Sequence, residues 1–245
     1  MWSRIGTTAA LTAFSALALG ADSTSDSRKW VLFYDFYGDA QWSRLTGLGT
    51  AQLLRGGYRS GDQEVFLFLR NEYYDSSGSD QPFSFASRGT SLSVGARQWL
   101  PGRKWFVQGT VGRYIAGANR DKNDIRIGVA GFDEWRHKNN ITDMYAEAFW
   151  VDVADDALGY LRVRSGPVLS STPTSRLWAY GVGHLYATAN GKNGTENRVE
   201  AGIGLGQLLD NRAWIIGELR VGYIYRGTAD KRTYFNPVIL IAVSF

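Results

Sequence analysis

Phe235-Asn-Pro-Val-Ile-Leu-Ile-Ala-Val-Ser-Phe245 closes the chain, and its alternation decides which fold to look for. In an extended strand successive side chains point to opposite faces, so Phe235, Pro237, Ile239, Ile241, Val243 and Phe245 share one face that is apolar from end to end. The other face carries Asn236, Val238, Leu240, Ala242 and Ser244, with polar groups only toward its two ends. A terminal aromatic on such a strand fits the closing strand of an outer-membrane β-barrel. The same alternation fits the last core strand of a soluble β-sandwich, so the rest of the chain has to choose.

The start of the chain bears on that choice. Arg4 precedes an apolar run from Ala9 to Leu19 that ends in the small residues Ala18, Gly20 and Ala21, the arrangement of a secretory signal peptide cleaved near positions 18–21. The run is too short to cross about 30 Å of hydrocarbon as a helix, and the polar stretch Asp22-Ser-Thr-Ser-Asp-Ser27 follows directly. The expected organisation is therefore a signal peptide over 1–20, a short tail over 21–28 and one β domain over 29–245.

Composition narrows the class. About 225 mature residues are enough for one barrel or one large β domain, with ample apolar surface to bury. Cysteine is absent, which excludes small disulfide-stapled folds and thiolate metal sites. Lys plus Arg number 27 against 23 Asp plus Glu, a net charge of +4 with no block of five like charges, so there is no nucleic-acid signature. After the leader no stretch approaches 18 uninterrupted apolar residues, and a membrane protein of this composition has to be a barrel.

Alternation and turn chemistry mark segments near 29–38, 47–59, 64–75, 86–99, 103–115, 125–136, 140–153, 157–169, 175–189, 196–208, 212–226 and 235–245. Their spacing averages about eighteen residues, which suits a tilted membrane-crossing strand plus one connection. Connection lengths then alternate. Ser60-Gly-Asp-Gln63, Leu100-Pro-Gly102, His137-Lys-Asn139 and Leu209-Asp-Asn211 are tight, while Asp75–Gln81, Ala116–Asp124 and Ala189–Thr195 are longer and polar. Two links break the rule, a short one at Ala154-Asp-Asp156 and a long one at Ser170–Thr174. Short periplasmic turns opposite long external loops are the pattern of a transmembrane barrel, and a sandwich has no reason to alternate this way. The expectation is all-β: an antiparallel up-and-down transmembrane β-barrel of twelve strands with both ends in the periplasm.

Charge parity then assigns the interior. An unpaired charge facing lipid at mid-membrane depth costs about 2–4 kcal/mol, so Arg55, Arg70, Glu72, Arg97, Arg126, Asp143, Glu147, Arg162, Arg164, Arg198, Glu200, Glu218 and Arg220 are placed inward. With them go Trp99, Phe106, Phe132, Tyr145, Phe149 and Tyr160, and the three glycines Gly202, Gly204 and Gly206. Aromatics near strand ends, among them Trp30, Trp42, Trp135, Trp178, Tyr186, Trp214 and Tyr225, are expected in the interfacial girdles.

Two readings of this lining stay open. In one, the charges neutralise each other and fill a narrow interior, as buried ions must find partners. In the other they line a hydrophilic conduit, arginines meeting hydroxyl and carboxylate groups while the rings offer faces to sugars. The glycines allow either free space or close packing against a neighbour. Lipid hydrolysis finds no support in the two histidines: His137 falls in a turn and His184 in strand 9, neither in a pattern that pairs a serine with a base.

The segment Ser91–Tyr114 (SLSVGARQWLPGRKWFVQGTVGRY), followed by Asp143-Met-Tyr-Ala-Glu-Ala-Phe149 and the aromatic terminus, resembles the C-terminal barrel of the bacteriophage adsorption protein A family and, in style, outer-membrane components of exopolysaccharide secretion. The likeness covers about two thirds of the chain as a pattern and brings no catalytic residues. The long helical-repeat region that precedes the barrel in that family is missing, so a periplasmic scaffold would have to be a separate protein. Twelve-stranded oligosaccharide porins are a second likeness, through strand number and inward arginines.

These readings lead to one expectation, an outer-membrane channel in a Gram-negative bacterium for export or passage of a carbohydrate polymer, exopolysaccharide or oligosaccharide. Its expected partners are outer-membrane lipid, the barrel-assembly machinery reading Phe245, the polysaccharide and a periplasmic scaffold protein. No cofactor, metal or nucleic acid is expected. The alternatives are a filled barrel serving as a structural, adhesion or phage receptor, and an outer-membrane lipid-modifying enzyme.

Overall fold

The computed structural model describes residues 29–41, 47–76, 89–117, 120–190, 197–209, 213–226 and 233–244. The leader, the tail, Trp42 and Phe245 lie outside the described residues, and the side chain of Glu72 lies outside them too. The strands are β1 (Lys29–Gln41), β2 (Gly47–Ser60), β3 (Gln63–Ser76), β4 (Gly89–Trp99), β5 (Trp105–Ala116), β6 (Asn123–His137), β7 (Asn140–Val151), β8 (Asp156–Ser171), β9 (Arg176–Thr188), β10 (Asn197–Leu209), β11 (Ala213–Arg226) and β12 (Thr233–Ser244). Each pairs antiparallel with its neighbours in sequence, and β1 pairs with β12 from Phe33↔Ser244 to Asp39↔Val238, which closes the barrel. Closure satisfies every strand edge, as a sheet surrounded by lipid requires.

One rim collects the tight turns. Gly61, with φ of 60°, turns β2 into β3, and Gly102 and Arg103, at 81° and 53°, turn β4 into β5. The β8–β9 link belongs to this set, which corrects the expected long loop at 170–174. Ser170 and Ser171 continue β8 past a register shift, and the turn is closed by Thr172 N–H donating to Ser175 O at 2.8 Å and Ser175 N–H to Thr172 Oγ1 at 3.0 Å. The other exception stands. β7 ends at Val151, a 3₁₀ turn follows over Asp152–Ala154, and left-handed Asp155 at φ 49° reverses the chain into β8.

Alternation sorts the two faces as charge parity expects. In β10, Val199, Ala201, Ile203 and Leu205 face out and Arg198 and Glu200 in, and in β12 Ile239 faces out while Asn236, Val238 and Leu240 are buried. The exterior is a continuous belt of exposed Val, Leu and Ile, far beyond the few hundred Å² that a soluble monomer leaves bare. The belt and the closed sheet make this an antiparallel up-and-down transmembrane barrel.

Candidate functional site: the barrel interior

Twelve strands lie between the eight that side chains fill and the sixteen that leave an aqueous channel, so residue volume decides whether the interior is open. Here it is filled. Arg55, Arg70, Arg97, Arg126, Glu147, Arg162, Arg164, Arg198, Glu200, Glu218 and Arg220 all point inward and are buried, and Asp143, expected with them, is partly exposed.

The largest network sits on β7 to β12, with Glu218 as its hub. Glu218 accepts from Arg164 Nε at 2.7 Å, from Tyr180 Oη at 2.9 Å and from Arg220 through both Nε and Nη2. Arg164 also reaches Asp143 at 3.9 Å, and Arg162 reaches Asp143 at 3.5 Å. Arg220 extends the network to Glu200 at 3.0 Å, and Glu200 accepts from Tyr234 Oη at 2.6 Å and lies 3.5 Å from Arg198 Nε. β8 and β11 are not neighbours, so Arg164–Glu218 is a chord across the interior.

A second network ties β3, β4 and β6. Asp124 receives Ser91 Oγ at 2.6 Å and Arg126 Nε at 2.7 Å and lies 3.6 Å from Arg70. The third group lies near the tight-turn rim on β2 to β5: Arg55 pairs with Glu64 at 3.2 Å, and Arg97 donates to Gln108 Oε1 through Nε at 3.0 Å and Nη2 at 2.5 Å. Glu147 stands apart, accepting one bond from Tyr145 Oη at 2.7 Å.

The inward aromatics do not present free faces. Trp99, Phe106, Tyr145, Phe149 and Tyr160 belong to one packed cluster with Phe66 and Tyr186, and Phe132 packs against it. Three residues expected in the girdles are corrected: Trp178, Tyr186 and Trp214 are buried inside. Trp178 and Tyr186 lie on the inward face of β9 with Tyr180 and His184, and Trp214 shares its face with Glu218 and Arg220, so parity overrides their place near strand ends. Trp30, Trp135 and Tyr225 do face out.

Among the inward glycines, Gly202 and Gly204 mark close packing, whereas Gly206 is in ordinary contact at 3.5 Å. A Cβ on Gly204 would meet the Tyr180 ring at 2.6 Å, so the ring occupies the space that the missing side chain leaves. Glu64, Gln108, Asp124 and Tyr180 join the lining and were not singled out from the sequence, and His184, weighed there only as a catalytic candidate, lies with them. Each shares strand parity with an inward residue, and that signal alone would have found them. His184 binds Tyr160 Oη at 2.7 Å through Nδ1 and lies 3.4 Å from Glu218.

No family model matches this chain. No curated protein matches it either, so the resemblance to the bacteriophage adsorption protein A family rests on the quoted segments alone. Solved structures do match. An outer-membrane channel from Pseudomonas putida F1 aligns with a TM-score of 0.51 at 9% identity, covering 91% of this chain and 97% of that one. The β domain of the Bordetella autotransporter BrkA aligns at 0.48 and 13% identity, covering 88% and 99%. The KdgM porin aligns at 0.44 and 10%, covering 87% and 99%. At these identities the likeness is one of fold, that of outer-membrane β-barrels.

Proposed function

We propose that this chain is a bacterial outer-membrane channel for carbohydrate, shut in the arrangement described by its own side chains. The observation that carries the reading is the chemistry of the interior, with arginine, carboxylate and tyrosine along the described strands β2 to β12. A barrel built only for rigidity has no need of them, since apolar packing often matches a buried ion network in stability. The chords across the interior have to part before a sugar passes, which makes the passage a gated one. Arginine and tyrosine then offer the repeated weak contacts that let a hydroxylated solute move without being trapped. Export of an exopolysaccharide, with a periplasmic scaffold as partner, is the form of this function that the quoted sequence resemblance favours. The leader and the apolar belt support placement in the outer membrane with lipid and the assembly machinery as partners.

A second reading has its own support. Burial of nearly every inward side chain favours a permanently filled barrel acting through its external loops. Neither reading includes catalysis, and His184 bonds Tyr160 Oη through Nδ1 with Nε2 lying 3.4 Å from Glu218. Single-channel recording in planar bilayers separates the two. The channel reading expects discrete openings whose ion selectivity changes in Arg162→Ala/Arg164→Ala and whose current is blocked by oligosaccharide. A barrel that inserts and stays silent refutes it.

A further inference from the structure

Among the buried arginines described, ion pairing has one exception. Among the described residues, Arg55, Arg70, Arg126, Arg162, Arg164, Arg176, Arg198 and Arg220 each have a carboxylate within ion-pair distance. Arg97, 3% exposed, has none: two of its nitrogens are spent on the neutral Gln108 oxygen, and Nη1 has no acceptor. Beside it Trp99 is 6% exposed, and its indole Nε1 also lacks an acceptor. The Arg97 guanidinium lies 5.4 Å from the Trp99 ring centroid and 3.8 Å from that of Phe106. Half-buried Arg59 lies over the same indole at 5.1 Å, with its Nε donating to Gly61 O at 3.2 Å. Glu64, opposite Arg97 in the β3–β4 register, lies within ion-pair distance of Arg55 at 3.2 Å with no hydrogen bond to that oxygen, and Asp62 pairs with Arg103 at 2.7 Å.

A buried cation without a counter-ion is costly, and a buried indole N–H ordinarily finds a partner. Two donors left open on adjoining side chains, in a patch with surplus positive charge, call for an acceptor that is itself negative. We propose that Arg97 and Trp99, with Arg59 toward solvent, form a binding site for the carboxylate of a small acidic solute at the tight-turn mouth of the barrel. An arriving carboxylate meets Arg59 first, then exchanges water for Arg97 Nη1 and Trp99 Nε1, while the Phe106 ring keeps the guanidinium in place. The site deepens the channel reading by giving the passage an entry step that prefers uronates to neutral sugars.

D-glucuronate and D-glucose share a ring and differ in carboxylate against hydroxymethyl, so they are suitable probes. Titration calorimetry on the purified full-length barrel in detergent should find glucuronate binding and glucose on the order of tenfold weaker or absent. Arg97→Gln should weaken glucuronate on the order of tenfold or more, Arg97→Lys less, and Trp99→Phe, which keeps the ring and removes the donor, by about threefold, while Arg113→Gln, exposed at the opposite end of β5, leaves binding unchanged. Equal binding of the two sugars, or wild-type affinity in Arg97→Gln, overturns the site. If Arg97→Gln fails to assemble, judged by heat-modifiable mobility, an unchanged affinity in Trp99→Phe overturns it alone. Adding glucuronate during bilayer recording separates the two proposals: binding to a barrel that never conducts sinks the channel and keeps the site, whereas conduction without glucuronate binding sinks the site and keeps the channel.

Discussion

Glu218→Gln tests whether the interior is held by its ion network. The replacement keeps the size and removes the charge that Arg164 and Arg220 share, together with one of the two acceptor oxygens that they and Tyr180 use. Removing one partner of a buried ion pair costs about 3–5 kcal/mol, because the other charge stays buried without compensation. Each arginine keeps a second carboxylate, Arg220 through Glu200 at 3.0 Å and Arg164 through Asp143 at 3.9 Å. The expected loss therefore lies at the lower end, about 3 kcal/mol. With a urea slope of about 2 kcal/mol per molar, the midpoint of reversible unfolding from lipid vesicles falls by about 1.5 M. Asp62→Asn is the control: its carboxylate pairs with Arg103 at 2.7 Å and both side chains are exposed, so the change stays below about 1 kcal/mol. Glu218→Gln/Arg220→Gln should recover part of the loss by removing one of the stranded cations. A midpoint for Glu218→Gln no lower than the control's would refute the reasoning and mean that water already reaches these groups.

Three further outcomes follow from the two faces of the wall. Ile203→Arg, at a position 67% exposed on the outer face, should cost about 2–4 kcal/mol if it lies near the bilayer midplane, read as the same unfolding midpoint; no loss would put that face in water. Gly204→Ala drives a methyl into the Tyr180 ring and should cost about 1–3 kcal/mol, whereas at Gly206, where the nearest atom is 3.5 Å away, the same change should cost less than about 1 kcal/mol; equal costs contradict the close packing. Deleting Phe245 should lower outer-membrane assembly in fractionated cells without impairing passage across the inner membrane, and normal assembly would remove its role as an assembly signal.

The wall was legible in the sequence because one strong rule governs it: charges avoid lipid, and a period of two then fixes the rest of the strand. That rule placed Arg162, Glu218 and Arg220 correctly. It also applied to Trp214, four residues before Glu218 on the same face, yet nearness to a strand end assigned that indole to a girdle. Where the two signals conflict, parity wins, since a side chain cannot change face without a bulge, whereas aromatics near an interface are only a preference. The network itself was not legible. Alternation says that Arg164 and Glu218 both point inward but not that they meet, because the contact between β8 and β11 depends on strand tilt and stagger. Filling was hidden for a related reason, as the Tyr180 ring covers Gly204 from the neighbouring strand.

The network's layout says where such a barrel would open. On β7 to β12 the charges are joined by contacts that skip strands, Arg164 to Glu218 and Tyr234 to Glu200, so moving one arginine there disturbs several carboxylates. At the tight-turn end Arg97 is held by the neighbouring strand, through Gln108. Side chains tied to their own wall can swing aside without stranding a charge on the far one. Arg97, held by a neutral amide and ring faces, gives up less than Arg220, which has two carboxylates to lose. In the channel reading the lower barrier to opening therefore lies beside Arg97, the buried arginine with no carboxylate within ion-pair distance.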